Sequence, residues 1–301
     1  MSWLNRLRPK SNRAEAPDFS GQPMRIGEFL VTDVHSHMVP GVDDGAESLE
    51  QSMAMIEKLV AMGYRQSVIT PHIHSDIYPN SIHTLRDPFE KLKDAVAARW
   101  PEFNVHLAAE YFLDDHFEHC IAADDLLWFP GVDENGREIK CVLFEFGFHE
   151  PPMNHDHVLF ELQMAGYTGV LAHAERYPYW HQMPQEIQAL ADRGFWITVN
   201  AASLAGAYGP EMYQVAKRLV ESKTARMICS DAHGLRHLES LEAISKSPVV
   251  QQWLHHGNPA SAAHGKVPET LLVDETAPLR LVGTCIVRTD QHRWILLITS
   301  G

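Results

Sequence analysis

The chain is poor in cysteine and in basic charge, and it has no long apolar run. Its four cysteines, Cys120, Cys141, Cys229 and Cys285, include no CxxC pair among 301 residues. Three of them sit in or beside apolar runs as small core residues do, which argues against a disulfide framework. Lys and Arg number 25 against 39 Asp and Glu, a formal charge of −14, and such an excess repels phosphate backbones and disfavours nucleic acid as a partner. The longest apolar stretch falls well short of the roughly 20 residues a membrane span needs. No basic segment followed by an apolar stretch and a small-residue cleavage site opens the chain. The expectation is a cytoplasmic protein with no stable membrane insertion.

What is present is histidine and a large apolar fraction. With 45% hydrophobic residues the chain can bury the core of one enzyme-sized α/β domain. Its 19 histidines are several times the usual number, and histidine is the commonest side-chain metal ligand. Single surface histidines cost little, so their placement must decide.

Short β-rich runs lie at 29–37, 66–72, 104–110, 140–146, 168–176, 195–201 and 225–233. Helical spacing separates them, clearest at 48–63, where Leu49, Met53, Ile56, Leu59 and Val60 share a face and Gly63 is placed as a stop. Further helices are predicted near 84–99, 154–166, 184–193 and 210–222. Such alternation implies parallel strands joined by right-handed crossovers, and a parallel barrel delivers all its strand ends to one mouth. The first run ends in His35 and His37, the second in His72, the third in Glu110, the fourth in Glu145, the fifth in His173, and the seventh in Asp231 and His233. Six of seven strand ends thus carry a metal-binding residue type, and His and carboxylate donors without thiolate suit Zn²⁺, Mn²⁺ or Fe. His35 and His37, one residue apart, alternate to the same side and reach one ion.

The segments DVHSHMVPGVDDGAESLEQS, TPH, AAE, LFEF, LAHAERY, VNAASLAGAYG and SDAH occur in this order. So ordered, they resemble the polymerase-and-histidinol-phosphatase (PHP) superfamily, and more narrowly the manganese-dependent protein-tyrosine phosphatases of bacterial capsule and exopolysaccharide loci. The resemblance runs from about residue 28 to about 260. It implies a distorted (β/α)7 barrel over 27–260 and three divalent metal ions, Mn first and Fe or Zn as alternatives. One ion would be held by His35, His37, Glu110 and Asp231, a second by Glu110, Glu145 and His173, and a third by Asp44, His72 and His233. Arg176 would bind the substrate phosphate. Three divalent ions and Arg176 against Asp44, Glu110, Glu145 and Asp231 give a positive mouth in an acidic chain. Such ions lower the pKa of water from near 16 towards about 7.

A cysteine-based phosphatase loop is excluded, because none of the four cysteines has arginine six positions on; Cys229 comes nearest, with Arg236 at seven. The resemblance has departures. Ala174 stands where a proline is usual, which should loosen the turn aiming Arg176, and the second phosphate-binding arginine has no match at its usual spacing. Arg236 is its candidate replacement, ahead of His237. His74 and Tyr78 follow the second strand, Tyr78 as a possible substrate contact in a surface loop. Tyr111 and Phe112 read as core, Asp43 as solvent-facing or as a cap, and WFPGVDENGREIK as a hairpin-like turn around Asn135-Gly136.

Residues 1–26 read as a disordered leader beginning with Trp3, Leu4 and Leu7 among basic residues, and 261–301 as a tail with a possible β-hairpin around Asp290-Gln291. Three functions fit. The first is a protein-tyrosine phosphatase acting on the tail of a tyrosine kinase of polysaccharide export, by metal-activated water. The second is a small-molecule phosphatase such as a histidinol phosphatase. The third is a non-catalytic metal-binding barrel.

Overall fold

The structure, a computed structural model, describes residues 15–133 and 136–255, and the backbone of four short strands between 281 and 300. Strands β1 (Thr32–Asp33), β2 (Gln66–Ile69) and β4 (Asn104–Leu107) form one parallel sheet. β3 (His72–Ile73), β5 (Glu110–Phe112), β7 (Glu138–Glu145), β8 (Tyr167–Leu171), β9 (Trp196–Asn200) and β10 (Ala225–Cys229) form a second in consecutive order, and β6 (Phe129–Val132) runs antiparallel to β7. The two sheets are one barrel. β2 continues into β3 and β4 into β5 across two-residue breaks, linked by Ala108 N–H to Ile69 O at 2.9 Å and Glu110 N–H to Pro71 O at 3.1 Å. The second run of the sequence breaks at Thr70-Pro71 because Pro71 has no N–H to give a ladder.

Closure falls between the first and last strands. Ser36 and Ala232 form a parallel bridge, Asp231 N–H donates to His35 O and His37 N–H to Ala232 O, both at 2.9 Å. The product is a distorted (β/α)7 barrel. The first run is less of a strand than its composition suggests: Gly27–Leu30 is a helical turn (α1), and the ladder holds only Thr32 and Asp33. The fifth run likewise leaves the ladder at Leu171 and turns into a 3-10 segment, Ala174–Arg176.

Helices α2 (Leu49–Ala61), α3 (Ile82–Arg99), α4 (Asp115–Ala123), α5 (His155–Met164), α6 (Pro184–Asp192), α7 (Ala201–Leu204), α8 (Pro210–Glu221), α9 (Leu235–Ile244) and α10 (Pro248–His255) surround it. Local chemistry fixes their starts: Ser48 accepts from Gln51 N–H, Ser81 and Thr84 form a capping box, and Asp114 accepts from Phe117 N–H. The α2 face buries Met55 with Ile56 and Leu59, and Gly63 ends it at φ +94°.

Alternation along the strands sorts the core. Val34, Val68, Ala108, Cys141, Leu143, Val170, Ala172, Trp196, Met227 and Cys229 fill the barrel interior, while Ile69, Val142, Phe144, Leu171, Ile197, Val199 and Ile228 pack outward under the helices. Continuing the inward register by two residues leads from Ala108 to Glu110, from Leu143 to Glu145, from Trp196 to Thr198 and Asn200, and from Cys229 to Asp231. The apolar interior therefore ends in a polar layer at the strands' C-terminal ends.

Below that layer Asp33, 1% exposed, accepts from Ser230 N–H at 2.9 Å and Ser230 Oγ at 2.5 Å. Asp33→Ala strands both donors and is expected to cost about 2–4 kcal/mol in urea unfolding. Burial raises the Asp33 pKa to about 6 against the lowering by its Ser230 bonds. A carboxyl with a raised folded pKa stabilises most below its unfolded value of about 4 and loses that contribution as pH climbs through the folded pKa. The metal-stripped chain should therefore lose stability over that window more steeply than its Asp33→Asn variant; equal slopes would remove this role.

Residues 15–26, read from sequence as part of a leader, lie against the barrel. Glu15 pairs with Lys217 on α8 at 2.7 Å, Gly21 N–H donates to Lys246 O, and Ile26 is buried. Trp3, Leu4 and Leu7 fall outside the described residues, as do Asn135 and the Asp290-Gln291 turn. On the backbone, Ile286–Arg288 pairs antiparallel with Trp294–Leu296, and Leu281–Val282 with Thr299–Ser300.

Candidate metal centre

All nine residues singled out at the strand ends and in the loop after β1 converge on the barrel mouth. His35 and His37 do face the same side, with their Nε2 atoms 3.2 Å apart. His35 Nε2 lies 3.1 Å from Glu110 Oε2 and 3.4 Å from Asp231 Oδ1; His37 Nε2 lies 3.3 and 3.5 Å from the same atoms. His173 Nε2 stands 3.0 Å from Glu110 Oε1 and 3.5 Å from Glu145 Oε2. His72 divides its nitrogens: Nδ1 is 3.2 Å from both Glu110 Oε2 and Glu145 Oε1, and Nε2 is 3.6 Å from Asp44 Oδ1. His233 Nε2 is 3.4 Å from that Asp44 oxygen.

Eight of the nine donors fall into three overlapping groups: His35, His37, Glu110 and Asp231; His37, Asp44, His72 and His233; and His72, Glu110 and Glu145. His173, expected with Glu110 and Glu145, lies beside both but outside these groups, where His72 takes its place, and His37 joins the Asp44 group as well. Two features fit divalent ions. Edges of 3.0–3.6 Å are what N and O donors about 2.1 Å from a shared ion require. Glu110 Oε2, fully buried and facing three ring nitrogens, has no hydrogen-bond partner, and an orphaned buried carboxylate oxygen is costly unless a cation meets it.

The electrostatics agree. Burial opposes charge on Glu110 and Asp231, yet His35, with His72 beside Glu110, holds both carboxyls well below the ordinary range. Asp44, more exposed, is pushed down to about 2, chiefly by its contact with His233. His173 and Asp231 have left-handed backbones, φ +33° and +47°, conformations that non-glycine residues adopt at a cost and that concentrate at functional sites.

Asp43 corrects the reading from sequence. It neither faces solvent nor caps α2; Ser48 does that. Its side chain is buried and accepts from His37 Nδ1 at 2.8 Å, Gly45 N–H at 3.0 Å and His72 N–H at 3.0 Å. It thereby fixes the His37 tautomer with Nε2 free towards the cluster. Asp43→Asn is expected to weaken metal affinity by roughly 10–100-fold with the barrel intact, read by titrating stripped protein with Mn²⁺, and an unchanged affinity would reduce Asp43 to packing.

Beside the donors Arg176 NH1 bonds Asp231 Oδ2 at 3.1 Å, and Asn200 Nδ2 donates to the same oxygen at 2.6 Å. The turn that aims Arg176 is not loosened by Ala174: Ala174 is buried, and Arg176 N–H closes on His173 O at 2.8 Å. Glu175 is buried too, accepting from Asn200 N–H and Ser203 Oγ. The guanidinium is close to two rings, its Cζ 4.8 Å from the Phe148 centroid and 4.9 Å from that of Tyr208.

A cavity of about 670 Å³ opens over the cluster, lined among others by Asp44, Tyr78, Phe112, Arg176, Tyr208 and His237. Tyr78 stacks on His72 at 5.3 Å, and its segment is a tight turn closed by two 3.0 Å backbone bonds between His74 and Tyr78. Tyr111 is core, with its hydroxyl accepting from Leu127 N–H, whereas Phe112 faces the cavity. Arg236 is not brought to the site. It is exposed and off the cavity lining, because His237 shares the i, i+4, i+7 face with buried Leu241 and Ile244 and position 236 is turned away. The strand ends point to metal donors alone, so Asn200, Phe148 and Tyr208 were not singled out, although Asn200 and Tyr208 lie within the VNAASLAGAYG segment.

Comparison with known proteins agrees with this geometry. Tyrosine-protein phosphatase YwqE of Bacillus subtilis is 28% identical over 214 residues, 70% of this chain and 82% of that protein. Tyrosine-protein phosphatase CpsB of Streptococcus pneumoniae is 24% identical over 226 residues, 73% and 86%. A crystal structure from work on these two proteins, described as metal-dependent tyrosine phosphatases, superposes with a TM-score of 0.63 at 26% identity, covering 75% of this chain and 92% of the other. The model of the capsular polysaccharide synthesis family CpsB/CapC matches residues 31–243, and the chain belongs to that family.

Proposed function

We propose that this chain is a metal-dependent protein-tyrosine phosphatase of polysaccharide biosynthesis. The observation that carries the reading is the set of three overlapping His and carboxylate groups beside an arginine bonded to Asp231 and close to two aromatic rings. Three ions are proposed: one on His35, His37, Glu110 and Asp231, one on Glu110, Glu145 and His173, and one on Asp44, His72 and His233. His72 Nδ1, close to both glutamates, serves as a further contact of the second group. Mn²⁺ is the proposed occupant, since donors without thiolate disfavour a structural zinc site.

Bound there, divalent ions supply hydroxide near neutral pH and draw charge from phosphate oxygens. The chain's own residues do the rest. Arg176 binds the equatorial phosphate oxygens with the fork atoms Asp231 leaves unused, and its charge counts for more as the leaving oxygen gains electrons. Fixing the arginine beforehand removes reorganisation from the step. Tyr78 borders the entrance on the His72 side. A tyrosyl oxygen, with pKa near 10, departs without needing the acid an alkoxide would require.

The proposed substrate is phosphotyrosine in the tail of a kinase of polysaccharide export, a reading supported by the names of the relatives and by the family. The proposed location is the cytoplasm; no helix among the described residues is long and apolar enough to cross a membrane. The test is a panel of phosphotyrosine peptide, phosphoserine peptide and histidinol phosphate with Mn²⁺-loaded protein. Preference for phosphotyrosine is expected; preference for histidinol phosphate would assign the site to small esters.

A further inference from the structure

We infer that Phe148 and Tyr208 make the site selective for aryl over alkyl phosphates, an inference that rests on the phosphatase reading above. The cluster and the rim differ sharply in depth. His35, His37 and Glu110 are fully buried and His173 and Asp231 are 2% exposed, while Phe148 is 40% and Ile77 62% exposed at the same cavity. A phosphate seated on the buried Glu110 side of the cluster, rather than by the part-exposed Asp44, His72 and His233, is carried on a spacer that passes the rim. A phenyl ring is such a spacer, and the single methylene of serine is not.

The rim is apolar where that spacer runs. Phe148 follows β7 directly, and its ring is 5.7 Å from that of His173. Phe112, on the neighbouring strand, reaches to 3.7 Å from where a Cβ on Gly147 would stand, and His74 stacks on it at 4.1 Å. Phe148 and Tyr208 each stand near the Arg176 guanidinium carbon, 4.8 and 4.9 Å from ring centroid to Cζ, so both rings border the place where Arg176 would meet a phosphate. The same placement offers ring surface to a substrate ring beside the bound phosphate, in the offset or edge-on contacts aromatic pairs favour.

These two roles separate experimentally. Holding Arg176 acts on every phosphate ester alike, whereas contact with the spacer acts only on aryl esters. Phe148→Ala and Tyr208→Leu are measured as kcat/KM for phenyl phosphate and for phosphoserine, each relative to wild type, with metal content recorded. The inference expects the phenyl phosphate to phosphoserine ratio to fall by about 10-fold or more in each variant, with metal content unchanged. Phe148→Tyr, which keeps the ring, is expected to restore the ratio. An equal loss on both substrates would overturn the selectivity role and leave only support for Arg176. Wild-type protein inactive on both substrates would instead overturn the phosphatase reading.

Discussion

Glu110→Ala is expected to lower turnover by roughly 10³-fold or more and to strip most of the bound metal, the largest effect of any single change in this chain. The reason is its connectivity. Its oxygens face four imidazoles, Oε1 that of His173 and the unbonded Oε2 those of His35, His37 and His72. The residue stands at the meeting point of β5 with its neighbours, since His72 on β3 is its register partner and Leu143 on β7 lies opposite. Removing it leaves buried imidazoles without an anion between them, and two of the three donor groups lose a member. Glu110→Gln preserves volume while removing the charge, so it separates loss of ligation from loss of packing. Elemental analysis and the phosphotyrosine assay read both; metal content near wild type in Glu110→Gln would contradict the shared-ligand role.

Arg176→Ala should leave metal content unchanged and reduce kcat by about 10²–10³-fold, on the scale of losing one transition-state donor. The side chain is partly buried, bonded to Asp231 Oδ2, and flanked by Phe148 and Tyr208. Arg176→Lys keeps the charge but loses the planar fork and the stacking, and is expected to recover only a small part of the rate. Full recovery by lysine would mean that charge alone, not the planar fork, serves the phosphate. Some loss of stability is expected in Arg176→Ala, because Asp231 keeps Asn200 as a donor but loses its cation.

The barrel and the eight donors at strand ends were legible in sequence because they rest on periodicity, whereas Asp44, in a loop, came only from the resemblance. Strands that bury both faces read as short β-rich runs, and a polar residue two positions beyond an inward apolar one, as Glu145 is beyond Leu143, must stand at the barrel's end. The breaks at Thr70-Pro71 and Ala108-Ala109 were less visible, since a run of apolar character does not reveal where its ladder partner changes. Asp43 was misplaced for a different reason. Adjacent acids in a loop look alike, and only the three-dimensional return of the chain puts one on His37 and His72 and the other at the rim. Phe148 left no signal because an aromatic residue just past a strand is ordinarily core, and Tyr208, although inside the VNAASLAGAYG segment, follows α7 and is brought to Arg176 only by the fold. Arg236 and His237 show the same limit at one-residue resolution: the phase of α9, set by Leu241 and Ile244, decides which of the pair faces the cavity.

The most direct measurement is elemental analysis of the purified chain paired with phosphotyrosine-peptide turnover before chelation, after chelation, and after adding Mn²⁺ back. Divalent metal bound at three ions per chain, the number proposed above, with activity lost on stripping and restored by Mn²⁺, is the predicted result. Turnover that survives complete removal of metal would contradict it.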